Sequence, residues 1–240
     1  MSELDALFFG AHPDDVEIAG GGYAAQLAAR GFGVGIVDLT RGERGSRGDV
    51  ETRAAEAREA AQVLGVGTRV TLGLPDLGLD ASDPAQLRAV VECLRQYRPR
   101  LVVAPEHSDP HPDHVEGSHL VTRACYVAGL ARADGSGERH RPRRLLYALH
   151  RSTRLPHLVI DVSDTFERRV DALRAHRSQL SGGSGPQTYL THPEFIAELE
   201  SRARVFGASI GARFGEGYRM RGPVPLDSGE TLLGRVEASR

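Results

Sequence analysis

Short apolar runs alternate along this chain with longer, Ala-rich stretches of helical periodicity, and that alternation restricts the fold more than any other feature. Leu7–Gly10, Val34–Leu39, Arg69–Leu72 and Leu101–Ala104 read as buried strands. Tyr23–Arg30, Val50–Leu64 and Pro84–Tyr97 read as helices, the last opened by Asp83 as cap and Pro84 in the first turn. A further helix is expected from the segment after Leu101–Ala104 to about Ala131. Gly20-Gly21-Gly22 falls after the first strand and reads as a close-packed turn; it lacks the G-x-G-x-x-G spacing of a dinucleotide site. The C-terminal half is less regular. Arg132–Arg143 is expected to be an exposed loop, Leu145–Leu149 and Leu158–Val162 strands, Phe166–Ser178 and Phe195–Phe206 helices, and the glycines around Phe214 and Tyr218 turns. Strands alternating with helices predict an α/β fold, a mostly parallel sheet covered by helices on both faces. At 240 residues one domain is expected, spanning 1–222, with an irregular tail at 223–240.

The chemistry-bearing residues sit where such a fold binds ligands, just past the strands. His12-Pro13-Asp14-Asp15 follows the first apolar run, and His111-Pro112-Asp113-His114 follows Leu101–Ala104. Either cluster alone is equally well read as helix caps and turn chemistry. Together they suggest one metal site, with His12, Asp15 and His114 as the natural triplet of two imidazoles and a carboxylate. The same donors suit zinc or non-haem Fe(II). Asp14 is left over to accept a proton, His111 to donate to an oxyanion, and Asp113 to orient that imidazole. Arg53, in the first turn of a helix after a charged loop, reads locally as a solvated arginine. His107 and His119 read as ordinary loop and helix-face residues. Tyr189, His192 and Tyr218 are candidates for a pocket wall.

Bulk properties exclude other classes. A formal net charge of -2, with 26% charged residues, argues against nucleic acid or an anionic membrane as partner. The N-terminus has no basic region before its short apolar run, and no stretch approaches membrane-spanning length, so a cytoplasmic protein is expected. Cys93 and Cys125 bracket no tight motif and are expected to be buried thiols.

Ala11-His12-Pro13-Asp14-Asp15 together with His111-Pro112-Asp113-His114 resembles the LmbE-like (PIG-L) family of zinc-dependent N-acetylglucosamine deacetylases. Asp38-Leu39-Thr40, Val50-Glu51-Thr52-Arg53, Val159–Asp164, His176-Arg177-Ser178-Gln179 and Gly211–Gly217 resemble the branch that makes the thiol bacillithiol. The resemblance implies a Rossmann-like fold and Zn2+ on His12, Asp15 and His114, with Fe2+ as the alternative ion. It also implies Asp14 as general base, His111 with Asp113 as oxyanion stabiliser in its protonated form, and Arg53 as a substrate contact. The implied substrate is a small N-acetylated sugar conjugate, N-acetylglucosaminyl-malate, and the implied assembly a homo-oligomer, hexamers being known among relatives. The loop Thr40–Gly48 is richer in arginine than that branch, at a place where the aglycone could be read. Other N-acetylated sugars or a thiol conjugate are the alternative substrates. A sugar- or nucleotide-binding module with a structural metal is the more distant alternative.

Overall fold

The computed structural model describes residues 3–151, 154–180 and 185–223. Its strands are β1 (Ala6–Gly10), β2 (Val34–Thr40), β3 (Thr68–Leu74), β4 (Leu101–Pro105), β5 (Arg144–Ala148), β6 (Leu158–Asp161) and β7 (Gly215–Met220). They form one sheet in the order β3-β2-β1-β4-β5-β7-β6. The first five are parallel, and β7 runs antiparallel between β5 and β6. The chain steps outward from β1 to β3, then returns to place β4 on the other side of β1. That reversal opens a crevice at the carboxyl ends of β1 and β4. Both His/Asp clusters follow these two strands.

β1 is buried from end to end, and its alternating side chains build both halves of the core. Leu7 and Phe9 face one half, with Leu39, Val91, Leu94 and Leu120. That half is covered by α3 (Pro84–Tyr97) and α4 (Pro112–Val127). Ala6 and Phe8 face the other, with Ile36, Ala24, Ala61 and Ala172, under α1 (Asp15–Ala29), α2 (Val50–Leu64) and α5 (Phe166–Ala175). The caps follow the sequence: the Asp49 carboxylate accepts from Thr52 N, and Asp83 from Ala85 N and Gln86 N.

Four expectations are corrected. Gly20-Gly21-Gly22 is not a turn, because α1 begins at Asp15 and runs through it. The glycines thin the helix where α5 and β7 press on it. A Cβ on Gly21 would lie 3.1 Å from Arg169 Cγ, and one on Gly22 2.8 Å from Glu216 Oε1 and 3.0 Å from Val162 Cβ. Alanine usually stabilises a helix interior over glycine by about 1 kcal/mol. Gly22→Ala is nevertheless expected to lower stability by about 1–3 kcal/mol through overpacking, and a thermal melt showing a higher midpoint would contradict this.

The helix expected over Phe166–Ser178 breaks at the buried His176, whose ψ of 59° leaves the helical range, and a separate short helix, α6 (Arg177–Leu180), follows. The turns expected around Gly215 and Gly217 are strand β7. Its glycines admit the neighbouring helix α7 (Phe195–Ala208): a Cβ on Gly217 would lie 2.8 Å from the Phe206 ring, and one on Gly215 2.8 Å from Gly207 N. The α4 helix also stops at Val127, short of Ala131. Residues 224–240 of the expected tail lie outside the described residues.

Candidate metal centre and active-site pocket

The turn after β1 is tight enough to require glycine at its start. A Cβ on Gly10 would meet both His12 O and Asp15 Cβ at 3.0 Å. Asp15 Oδ2 accepts the His12 N–H at 2.8 Å and locks the turn. Asp14 takes up the remaining strain, with φ 121° and ψ -26°, a backbone region an L-residue enters only when its surroundings force it. After β4, Asp109 Oδ1 accepts the His111 N–H at 2.9 Å. His111 then caps α4, its Nδ1 accepting the Asp113 N–H at 3.2 Å, with Pro112 in the first turn.

These turns bring His12, Asp14, Asp15, His111, Asp113 and His114 together. Asp15 stands between two imidazoles, its Oδ2 3.5 Å from His12 Nδ1 and its Oδ1 3.2 Å from His114 Nε2. One nitrogen from each of His12, His111 and His114 lies within 4.8 Å of the others. Asp113 does not turn its carboxylate to His111. Its Oδ2 lies 3.2 Å from His12 Nε2 and accepts the Leu77 N–H at 2.7 Å.

Three residues that the sequence motifs do not single out join the cluster. Asp76 Oδ1 lies 3.3 Å from His12 Nε2. Asp109 Oδ1 lies 2.9 Å from His114 Nδ1, and its Oδ2 3.4 Å from His150 Nδ1. Asp76 follows β3 and His150 follows β5, so each obeys the strand-end rule that flagged the two motifs.

Carboxylates gather around the imidazoles. Burial opposes a charge on His12, yet hydrogen bonds with Asp113, Asp15 and Asp76 push its pKa up to about 12. His114, under the same opposition, is raised to about 10 by the Asp15 charge and by Asp109. Imidazole nitrogens surrounded by converging carboxylates form the hard-and-borderline donor set that suits a divalent ion such as zinc. Among the described residues, three sets have donor atoms that all lie within 4.8 Å of one another: His12, His111 and His114; Asp109, His114 and His150; and His12, Asp76 and Asp113. Asp113 and Asp109 also contact the His12 and His114 rings as outer carboxylates do where they fix ring orientation. His111 differs: burial, together with the charges of His114 and His12, depresses its pKa.

Arg53 is not solvated. It is 4% exposed, and its guanidinium donates to Gly42 O at 3.0 Å, Pro13 O at 3.0 Å and Asp14 Oδ2 at 3.3 Å. A side chain on Gly42 would collide with it. Burial raises the Asp14 pKa, and the Arg53 charge only partly offsets that rise. Behind Asp14 lies a buried ionic group. Arg69 donates to Glu17 Oε1 at 2.5 Å and to both Asp38 oxygens at 2.8 and 2.9 Å, while His176 Nε2 stands 3.4 Å from Glu17 Oε1.

The cluster floors a cavity of about 250 Å³, walled by Arg44, Arg53, Leu77, Arg151 and Tyr189 among others. The Arg151 guanidinium stacks over Tyr189 at 4.1 Å. Tyr189 is therefore a wall residue, as expected, but the other two candidates are not. Tyr218 is fully buried against α1, and His192 is exposed, accepting the Glu194 N–H. His107 and His119 line a separate cavity. Cys93 and Cys125 are buried and unpaired, and burial lifts both thiols to about 12. Among the described residues no helix is long and apolar enough to cross a membrane.

A histidine–carboxylate cluster at the carboxyl ends of a parallel sheet, with a buried carboxylate beside it, is an arrangement that metal-dependent hydrolases use. The family described as PIG-L, GlcNAc-PI de-N-acetylase, matches residues 7–125. Diacetylchitobiose deacetylase of Thermococcus kodakarensis is 29% identical, over 87% of this chain and 79% of its own. The 1D-myo-inositol 2-acetamido-2-deoxy-alpha-D-glucopyranoside deacetylase of Mycobacterium sp. (strain KMS) is 31% identical, over 78% of this chain and 79% of its own. Among solved structures, the conserved protein TT1542 from Thermus thermophilus superposes with a TM-score of 0.86 at 35% identity, covering 93% of this chain and 97% of that one. The chain belongs to the PIG-L (LmbE-like) family of N-deacetylases.

Proposed function

We propose that this protein hydrolyses the acetamide of an N-acetylglucosaminyl conjugate, releasing acetate and leaving the free 2-amine. The observation that carries this reading is the strained, buried Asp14 held by Arg53 beside the His12–Asp15–His114 donor set in one pocket. His12, Asp15 and His114 would hold zinc, and Fe2+ fits the same donors. The ion, when bound, supplies Lewis acidity that polarises the amide carbonyl and acidifies water. Asp14 accepts the proton of the attacking water; its raised pKa makes it a better base than an exposed aspartate. With His111 Nδ1 occupied by the Asp113 N–H, the ring proton of the neutral imidazole resides on Nε2, and that N–H donates to the developing oxyanion. No positive charge on His111 is needed, in keeping with its depressed pKa. Asp14 returns its proton to the departing amine, so the balance is amide plus water to amine plus acetate.

Arg53 fixes Asp14 and contributes to the wall that meets the sugar. Arg44 and Arg151, both exposed at the pocket, suit an acidic aglycone. This supports malate, with N-acetylglucosaminyl-malate as the substrate that would place the protein in bacillithiol synthesis. The experiment is acetate release by the zinc-loaded protein from N-acetylglucosaminyl-malate, N-acetylglucosamine and diacetylchitobiose. Preference for the malate conjugate supports the full reading. Activity confined to the other two removes malate, and silence on all three, with zinc bound, points to a different acyl substrate or a binding role. Chelation is expected to abolish turnover and Zn2+ to restore it; undiminished activity in the metal-free protein, verified by elemental analysis, would remove the metal from the mechanism.

A further inference from the structure

Leu77 combines backbone strain with side-chain exposure at the pocket wall. It follows β3 in the turn Pro75–Gly78, closed by the Gly78 N–H donating to Pro75 O at 3.1 Å. Leu77 is the third residue of that turn and has φ 56°. Type II turns place glycine or asparagine there, because a Cβ in left-handed backbone crowds the following carbonyl. The backbone of Leu77 has a clear task. Its N–H donates to Asp113 Oδ2 at 2.7 Å, and Asp113 in turn faces His12. Glycine would supply the same N–H without strain, so the backbone task does not explain a leucine. Nor does the core explain it: the side chain is 57% exposed and belongs to no buried cluster. It does line the active-site cavity, whose walls also carry the apolar surfaces of Ile18, Tyr189 and Leu190.

We propose that Leu77 is a specificity-determining residue, kept at a strained position so that its isobutyl group packs on the carbon skeleton of the aglycone. The proposal rests on the deacetylase reading above and extends it to a substrate class, N-acetylglucosaminides whose aglycone presents hydrocarbon surface next to its polar groups. The acetamide goes to the His/Asp floor, and Leu77 meets the part of the substrate beyond the sugar. An apolar wall of this size discriminates by roughly tenfold or more between ligands that fill it and ligands that do not.

The test is a series of N-acetylglucosaminides with methyl, butyl and phenyl aglycones, assayed on the zinc-loaded protein and on Leu77→Gly and Leu77→Met. The wild type is expected to show kcat/KM rising about tenfold from methyl to phenyl. In Leu77→Gly that rise is lost, mainly through KM, while Leu77→Met preserves it. Leu77→Gly is also expected to melt about 2–4 °C higher, as relief of strain at an exposed site would give in a chain of this length. The proposal is overturned if the methyl-to-phenyl ratio is the same in wild type and Leu77→Gly. It is equally overturned if Leu77→Gly melts lower and loses kcat uniformly across the series, the signature of a purely structural role through Asp113. If no member releases acetate, the deacetylase reading fails separately, and equilibrium binding of the matching methyl and phenyl glucosaminides decides about Leu77. A phenyl preference that vanishes in Leu77→Gly sustains the inference, and no preference removes it.

Discussion

Asp14→Asn is expected to lower kcat by roughly 10³-fold, the range associated with loss of a positioned general base, while metal content and thermal stability are retained. Asparagine keeps the size of the side chain and an oxygen to accept from Arg53, and it tolerates positive φ better than most residues. It cannot take a proton. Because Asp14 is buried and its pKa raised, its charge is not a source of folding stability, so the neutral amide should melt no lower than the wild type. The measurement is kcat beside elemental analysis and a melt. Activity within a few-fold of wild type, with metal bound, would take Asp14 out of the mechanism. A loss of bound metal in parallel with activity would reassign it as a ligand.

The second large effect is on folding. Arg69→Met is expected to cost about 3–5 kcal/mol, the usual result of removing one partner from a buried ionic group. It would lower the melting midpoint by about 10 °C or more for a chain of this length. Arg69 is the guanidinium that both Glu17 and Asp38 face, and Glu17 is 0% exposed. Burial alone would raise the Glu17 pKa, but the Arg69 charge and then His176 overcome it and bring it down from 4.5 to about 2. A depressed carboxylate stabilises the fold fully above its unfolded value, and that contribution is lost as the pH falls through the folded value. The gap between wild type and Arg69→Met should therefore be widest near neutral pH and narrow between about pH 4.5 and 2. A gap that stays constant over that window would show that Arg69 acts by packing rather than by charge.

The two effects meet in α1. Asp14 and Asp15 open that helix and Glu17 lies in its first turn, so a single turn of chain carries the carboxylate that Arg53 holds, the carboxylate between His12 and His114, and the anchor into the buried ionic group. Arg169 ties the same helix from behind, donating to the carbonyls of Glu17 and Ile18. The strain at Asp14 is thus held between β1 on one side and a helix fixed by Arg69, Arg169 and His176 on the other. This is how a fold can keep a costly backbone conformation in a pocket.

Much of the fold was legible because its determinants are local. Val50–Leu64 and Pro84–Tyr97 carry their own stripe, caps and breakers, and both helices have the expected limits. The errors fell where a distant partner overrides local preference. Gly20–Gly22 looks like a turn until Val162, Arg169 and Glu216 are seen to need the space. Gly215–Met220 looks like turns until Phe206 of α7 is seen resting on it. His176 breaks a helix to reach Glu17, which nothing in its neighbours announces.

The sequence by itself determined the alternating α/β architecture and the two strand-end clusters, because apolar periodicity, capping and the placement of polar residues after strands act within a few residues of chain. Only the tertiary structure decided how the cluster is wired. Asp113 faces His12 across 101 residues of chain, rather than His111 two positions away. Arg53 reaches Asp14 across 39 residues and is buried by doing so. Asp76, Asp109 and His150 enter the site, and Leu77 is strained at its wall. Such contacts depend on strand order, on the turn that aims each side chain, and on which charges are left without water once the elements pack. No window of sequence contains those quantities.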